Sequence, residues 1–128
     1  MTGAETLAHW NYAREDLEVA RHDLALSPRS AATRAYYAAF HAVSALFAVE
    51  GKSFSKHAAL ESAVHRDLVR AGRWPRETGA AYSDLFKLRL LSDYDVVSPI
   101  SAEAAEAAID AAARILEAVR QAHPDLEE

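Results

Sequence analysis

The sequence predicts an all-α fold, an up-and-down antiparallel bundle of five helices. Three observations point to it. Ala fills 29 of the 128 positions, and Ala is both the best helix former and small enough to let helix axes approach one another. Breakers are sparse and regular: Ser27-Pro28, Glu50-Gly51, Gly72 to Pro75, Ser98-Pro99 and Pro124 cut the chain into five stretches of helical length. Apolar residues recur at spacings of three and four, and the only strand-like interruption is the brief Val96-Val97.

Each element has its own justification. In the first stretch Leu7, Trp10, Ala13, Leu17, Ala20 and Leu24 share one helical face, and Glu15, Glu18 and Asp23 fall elsewhere. The second stretch opens with Ser27 as N-cap and Pro28 at the first helical position, where its missing N–H costs nothing. It runs to Glu50-Gly51, and Tyr36, Phe40, Val43 and Phe47 form its core stripe. A third helix is expected to start at Ser53 or Ser55 and to end at Gly72, and a fourth follows Pro75. The fifth opens at Ser101 with Glu103 and Glu106 near the positive end of the helix dipole, and Ile109, Ala112, Leu116 and Val119 form its buried seam.

Length, charge and composition set limits. A chain of 128 residues accommodates one domain, expected over 1–128 with its core in 5–122. With no Cys, disulfide scaffolds, thiolate zinc sites and thiol nucleophiles are excluded. The start of the chain has no basic and apolar leader pattern, and no run approaches the ~18 apolar residues of a membrane span, so a cytoplasmic protein without membrane contact is expected. A net charge of -5 argues against gripping nucleic acid by bulk electrostatics. Charge is nonetheless uneven: Lys52, Lys56, Arg66, Arg70, Arg73 and Arg76 outnumber Glu61 and Asp67, whereas from Ser101 onward acids dominate. That basic stretch suits either a contact surface or ordinary solvated helix faces.

Two polar constellations stand out. On the second helix Arg34, Tyr37, His41 and Ser44 lie within about 80° of each other, on a face apart from the aromatic stripe. A guanidinium, a phenol and an imidazole side by side can hold a phosphate and move a proton near neutral pH, or they can bond to neighbouring helices. On the fourth helix Tyr82, Phe86, Arg89 and Asp93 share a stripe beside Leu85 and Leu88. Arg89 among apolar neighbours needs a partner, and Asp93 four residues on is the nearest; the pair reads equally as a packing device or as part of a site. His57, Glu61 and His65 are spaced by four, but the outer pair is spread by about 80° around the helix. No metal site and no cofactor is expected, since phosphate-cradling glycine loops and a nucleophile elbow are also missing.

The run Ser30-Ala-Ala-Thr-Arg34-Ala-Tyr36-Tyr37-Ala-Ala-Phe40-His41, then Gly51, Lys56-His57, and Arg89-Leu-Leu-Ser-Asp93-Tyr94-Asp95 resembles the higher-eukaryote-and-prokaryote nucleotide-binding (HEPN) family. The similarity is greatest to its small prokaryotic members with an Arg-x-Tyr-Tyr-Ala-x-Phe signature, and it spans about Trp10 to Val119. The resemblance implies a helical bundle that forms homodimers with a cleft along the dimer axis. It implies a component of a toxin–antitoxin or phage-defence module acting beside a minimal nucleotidyltransferase, with RNA or a nucleotide as ligand. Active members are metal-independent ribonucleases using an Arg followed after four to six residues by His. Here Arg89 matches the Arg, but Asp93 and Tyr94 stand where the His is expected. The catalytic candidates the resemblance supplies are therefore Arg89, Asp93 and Tyr94, with Arg34 and His41 of the second helix; Tyr37, Lys56 and His57 are the RNA- or nucleotide-binding candidates. It also makes Tyr94 an acceptor for nucleotidyl transfer. Two readings stay open, a ribonuclease and a non-catalytic module that docks a nucleotidyltransferase, nucleotide or RNA.

Overall fold

The computed structural model describes residues 3–94 and 96–127. Five α-helices form the bundle: α1 (Ala4–Asp23), α2 (Pro28–Val49), α3 (His57–Ala63), α4 (Arg76–Tyr94) and α5 (Ala102–Ala122). A π-helical turn, Val64–Val69, extends α3, and a 3-10 turn, Pro124–Glu127, follows α5. Among the described residues there is no strand, and Val96 and Val97 are exposed in the link before α5. No helix among the described residues is long and apolar enough to cross a membrane.

Helix ends follow local chemistry. Ser27 Oγ accepts from Ser30 N at 3.1 Å and Ser101 Oγ from Ala104 N at 3.0 Å, satisfying N–H groups that the first turns of α2 and α5 leave unpaired. At the end of α2, Gly51 adopts φ +80°. Lys52 N then donates to Phe47 O at 2.9 Å and Gly51 N to Ala48 O at 3.1 Å, the paired bonds of a Schellman stop. Gly72, at φ +81°, repeats the device after the π turn, with Arg73 N on Leu68 O at 2.8 Å and Gly72 N on Val69 O at 3.0 Å.

One boundary differs from expectation. The third helix starts at His57, capped by the extended Lys56, and not at Ser53 or Ser55. Phe54 packs edge-on against Phe47 with ring centroids 5.3 Å apart, so the chain after Gly51 is drawn along α2 before it can coil. Tertiary burial of that ring outweighs the capping preference of the two serines.

α2 lies at the centre and packs against α1, α4 and α5. Ala31, Ala32, Ala35, Ala38, Ala39, Ala42 and Ala45 are all fully buried, so neighbours close in on several sides, and Tyr36, Val43, Leu46 and Phe47 fill the remaining core. Burying each of those larger side chains stabilises the fold by about 1.5–3 kcal/mol. Trp10, Ala13, Leu17 and Ala20 of α1 are buried as the periodicity predicts, and Leu7 and Leu24 at its ends are half-buried. All four seam residues of α5 are buried, and Leu126 of the 3-10 turn completes the core.

The π turn brings the backbone of α4 close. A Cβ on Gly79 would lie 2.5 Å from Val69 Cγ2 and 3.3 Å from the His65 ring. Glycine is thus the residue this crossing admits, and His65 there bonds Ser83 Oγ at 2.7 Å. Because α2 fixes α4 on one flank and α1 on the other, side chains from all three meet around the second-helix tyrosines.

Candidate functional site

Consecutive residues on a helix point about 100° apart, and the Tyr36-Tyr37 doublet uses that angle. Tyr36 turns fully inward, and Tyr37 lies half-buried at the surface, its ring 5.2 Å from that of Tyr36 and edge-on to it. Arg89, coming from α4, places its guanidinium 5.8 Å from the Tyr36 ring and 5.7 Å from the Tyr37 ring. Arg34, one turn before Tyr37, lies 5.0 Å from that same ring. Two cations from separate helices therefore flank one phenol, each within cation–π range.

Each arginine also holds a carboxylate. Arg34 Nη1 donates to Asp16 Oδ1 of α1 at 3.3 Å. Arg89 Nε lies 3.1 Å from Asp93 Oδ2, the pair expected from the sequence, with the side chains 19% and 31% exposed. The contact is ionic without hydrogen-bond alignment: Arg89 Nε is buried and has no acceptor among the described residues. Arg29 Nε bonds Ser92 O at 2.8 Å and Thr33 Oγ1 meets Ser92 Oγ at 3.2 Å, which tie the start of α2 to the last turns of α4 and fix the height of Arg89.

His57, at the start of α3, stacks on Phe40 with centroids 4.3 Å apart, and its Nδ1 lies 2.6 Å from the Tyr36 hydroxyl. Its ring is 5.9 Å from Tyr37, edge-on. Burial, with the Arg89 charge beside it, pushes its pKa down, so the imidazole is neutral at pH 7. Burial pushes the Tyr36 hydroxyl up to about 12, so that phenol stays protonated. Tyr82 stands behind it, fully buried, its hydroxyl without a hydrogen-bond partner among the described residues.

The structure thus gathers Arg34, Tyr37, Arg89, Asp93 and His57. It turns His41 toward α1: His41 Nδ1 is 3.0 Å from His9 Nδ1, its Nε2 is 4.0 Å from Asp16 Oδ2, and its ring packs 5.3 Å from that of Tyr12. Burial, reinforced by His9 and Arg34, lowers the pKa of His41 to about 4. Asp16 is pushed up by burial, against the pull of Arg34. Tyr94 ends α4 with 77% of its surface exposed, and Lys56 is exposed at the N-cap of α3; among the described residues no side-chain hydrogen bond, ion pair or ring contact ties either to the cluster. Asp95 lies outside the described residues. His57 and His65 have separate partners, Tyr36 and Ser83, and among the described residues no three His, Cys, Asp or Glu side chains share a point.

Sequence reasoning missed the contribution of α1. His9, Tyr12 and Asp16 stand at i, i+3 and i+7, one face of a helix. Asp16 also follows Ala13 by three and precedes Ala20 by four, which places an acid on the buried stripe. A carboxylate there requires a cation from a neighbouring helix, and Arg34 meets that need.

The sequence matches the HEPN domain model over residues 6–122. A protein of Thermotoga maritima named UPF0332 protein is 36% identical over 97 residues, covering 76% of this chain and 74% of its own length. The crystal structure of TT1696 from Thermus thermophilus is similar with a TM-score of 0.79 and 25% identity, over 94% of this chain and 98% of that one. With the Arg34-x-Tyr-Tyr37 face built on a bundle of this shape, the chain belongs to the HEPN domain family.

Proposed function

We propose that this chain is the HEPN component of a prokaryotic toxin–antitoxin or phage-defence module, and that its Arg34, Tyr37 and Arg89 groove binds RNA or a nucleotide. The carrying observation is the pair of guanidiniums at 5.0 and 5.7 Å from one half-buried tyrosine ring. Guanidiniums pair bidentately with phosphate oxygens, and a tyrosine at the surface offers a face on which a base can stack. With a net charge of -5, affinity has to come from such a local arrangement and not from the overall field. The chain acts as one domain over 1–128, in the cytoplasm, as a homodimer beside a minimal nucleotidyltransferase. The exposed Tyr94 phenol offers that partner an accessible acceptor. The non-catalytic form of this reading is favoured by His41, whose ring lies 6.4 Å from that of Tyr37 but whose two nitrogens are directed at His9 and Asp16.

A second reading, metal-independent RNA cleavage, is favoured by His57. No imidazole follows Arg89 along α4, but a neutral one reaches the same groove from α3. There it can take the proton of a 2′-hydroxyl while Arg34 and Arg89 stabilise charge on the phosphate. Fluorescence anisotropy with labelled single-stranded RNA in a chelator, at about 50 mM salt where electrostatic contacts are strong, combined with a denaturing gel, separates the readings. Binding of intact RNA that Tyr37→Ala weakens by about 1–3 kcal/mol supports the binding module. Cleavage that disappears in His57→Ala supports the ribonuclease. Absence of both binding and cleavage overturns the proposal.

A further inference from the structure

Outside the groove, α1 and α2 face each other through two imidazoles. His9 Nδ1 and His41 Nδ1 are 3.0 Å apart, with the rings inclined by 35°. Each ring presents its other nitrogen to a carboxylate: His9 Nε2 is 4.0 Å from Glu5 Oε1, and His41 Nε2 is 4.0 Å from Asp16 Oδ2. At 4.0 Å neither carboxylate bonds Nε2 directly, but its negative charge on that side still favours the tautomer with its proton on Nε2. When both rings adopt it, two Nδ1 lone pairs point at each other, an arrangement that repels unless a cation lies between them.

Carboxylate, imidazole and metal in sequence is the arrangement that orients histidine ligands in metalloproteins. Imidazole nitrogens sit about 2.0–2.1 Å from zinc, which puts two of them about 3.3 Å apart across a tetrahedral centre. The observed 3.0 Å needs only a small opening of the two rings. Both side chains are about a quarter exposed or less, so the point between them is partly desolvated while an ion from solvent can reach it.

We propose that His9 and His41 are the two protein ligands of a site for a borderline transition-metal cation, Zn2+, Ni2+ or Cu2+, that ties α1 to α2. Imidazole suits these three ions. Water completes the coordination, since among the described residues no third ligating side chain shares the point. The site adjoins the groove, because Asp16, behind His41, also holds Arg34 Nη1 at 3.3 Å. Occupancy therefore bears on how Arg34 is presented without placing the metal in contact with a ligand there.

The competing structure is an ordinary bond in which one Nδ1–H donates to the other, leaving one Nε2 lone pair facing its carboxylate. Chelator-treated protein titrated with Zn2+ in a calorimeter distinguishes the two. The expected result is one ion per chain, lost in both His9→Ala and His41→Ala and kept in His22→Ala, whose imidazole is exposed and lies elsewhere on α1. Asp16→Asn should weaken binding by up to about tenfold, the lower end for loss of an orienting carboxylate, because Oδ2 stands 4.0 Å from His41 Nε2. Added Cu2+ should show two coordinated imidazole nitrogens by electron paramagnetic resonance in the wild type and one in His9→Ala, with helicity checked by circular dichroism. No saturable binding, or binding unchanged in His9→Ala, overturns the proposal.

Discussion

Replacing Arg89 by Ala separates a binding role from a packing role, because the two predict different magnitudes. The substitution removes two cation–π contacts at 5.8 and 5.7 Å, each contributing about 0.5–1 kcal/mol where partly exposed. It also removes the ion pair with Asp93. Breaking a fully buried pair costs about 3–5 kcal/mol, but Asp93 is 31% exposed and its carboxylate rehydrates, which brings the loss nearer the ~1 kcal/mol of a surface pair. Against these, the buried Arg89 Nε has no hydrogen-bond acceptor among the described residues, and deleting it recovers part of a desolvation cost of about 1–3 kcal/mol. The net expectation is a destabilisation of about 1 kcal/mol, a fall in Tm of about 3–5 °C for a chain of this length. RNA affinity, by contrast, should fall at least about tenfold, or 1.4 kcal/mol. Differential scanning calorimetry and anisotropy on the same preparation give both numbers. A stability loss above about 4 kcal/mol with unchanged affinity of the folded fraction would make Arg89 a packing residue and refute the site assignment.

Gly79→Ala should lower Tm: Ala offers about 1 kcal/mol of helix propensity, but its Cβ meets the stiff, β-branched Val69 at 2.5 Å, and overpacking of this kind costs about 1–3 kcal/mol. A rise in Tm would show that the π turn and α4 can separate freely. His41 predicts a pH dependence whose sign follows from its lowered pKa, because the unfolded chain binds the proton more readily than the folded one. The stability is present in full above pH 6.5 and is lost as pH falls toward 4. His57 acts in the same direction, and Asp16, whose pKa is raised, opposes it toward the acid end. In a chelator, urea melts at pH 7 and 4.5 should show wild type losing about 2–3 kcal/mol more than His41→Gln; equal losses would mean that His41 is not held neutral by its surroundings.

Features set by a few neighbouring residues are legible in the sequence. Ser27-Pro28, Gly51 and Ser101 mark helix ends because a cap bonds within three to five residues. Seam residues of α5 follow from periodicity alone. The late start of α3 is not legible there, because Ser53 and Ser55 are adequate caps and only the seating of Phe54 on Phe47, seven residues back, keeps that stretch extended. Nor is the π turn, whose i to i−5 bond from Arg70 N to His65 O has no local signature in this stretch. For the site, the Arg34 and Tyr37 face and the Arg89 and Asp93 pair are both readable within their own helices, but nothing local says that they meet.

Their meeting depends on the tyrosine doublet. A lone Tyr37 would offer one ring at the surface, and a guanidinium from α4 would find water on its other side. Tyr36, turned about 100° inward, fills that side, and its hydroxyl holds His57 from α3 at 2.6 Å. One buried ring thus supports Arg89, Tyr37 and His57 together, and its hydroxyl stays protonated because burial pushes its pKa up. Tyr36→Phe keeps the ring and removes only the tether on His57. Arg89 and Tyr37 lean on the ring, whereas the imidazole is set by the Phe40 stack and turned by the hydroxyl. Under the proposed function Tyr36→Phe should therefore leave RNA binding intact and lower any cleavage that depends on His57, a split that anisotropy and a denaturing gel on the same variant read directly.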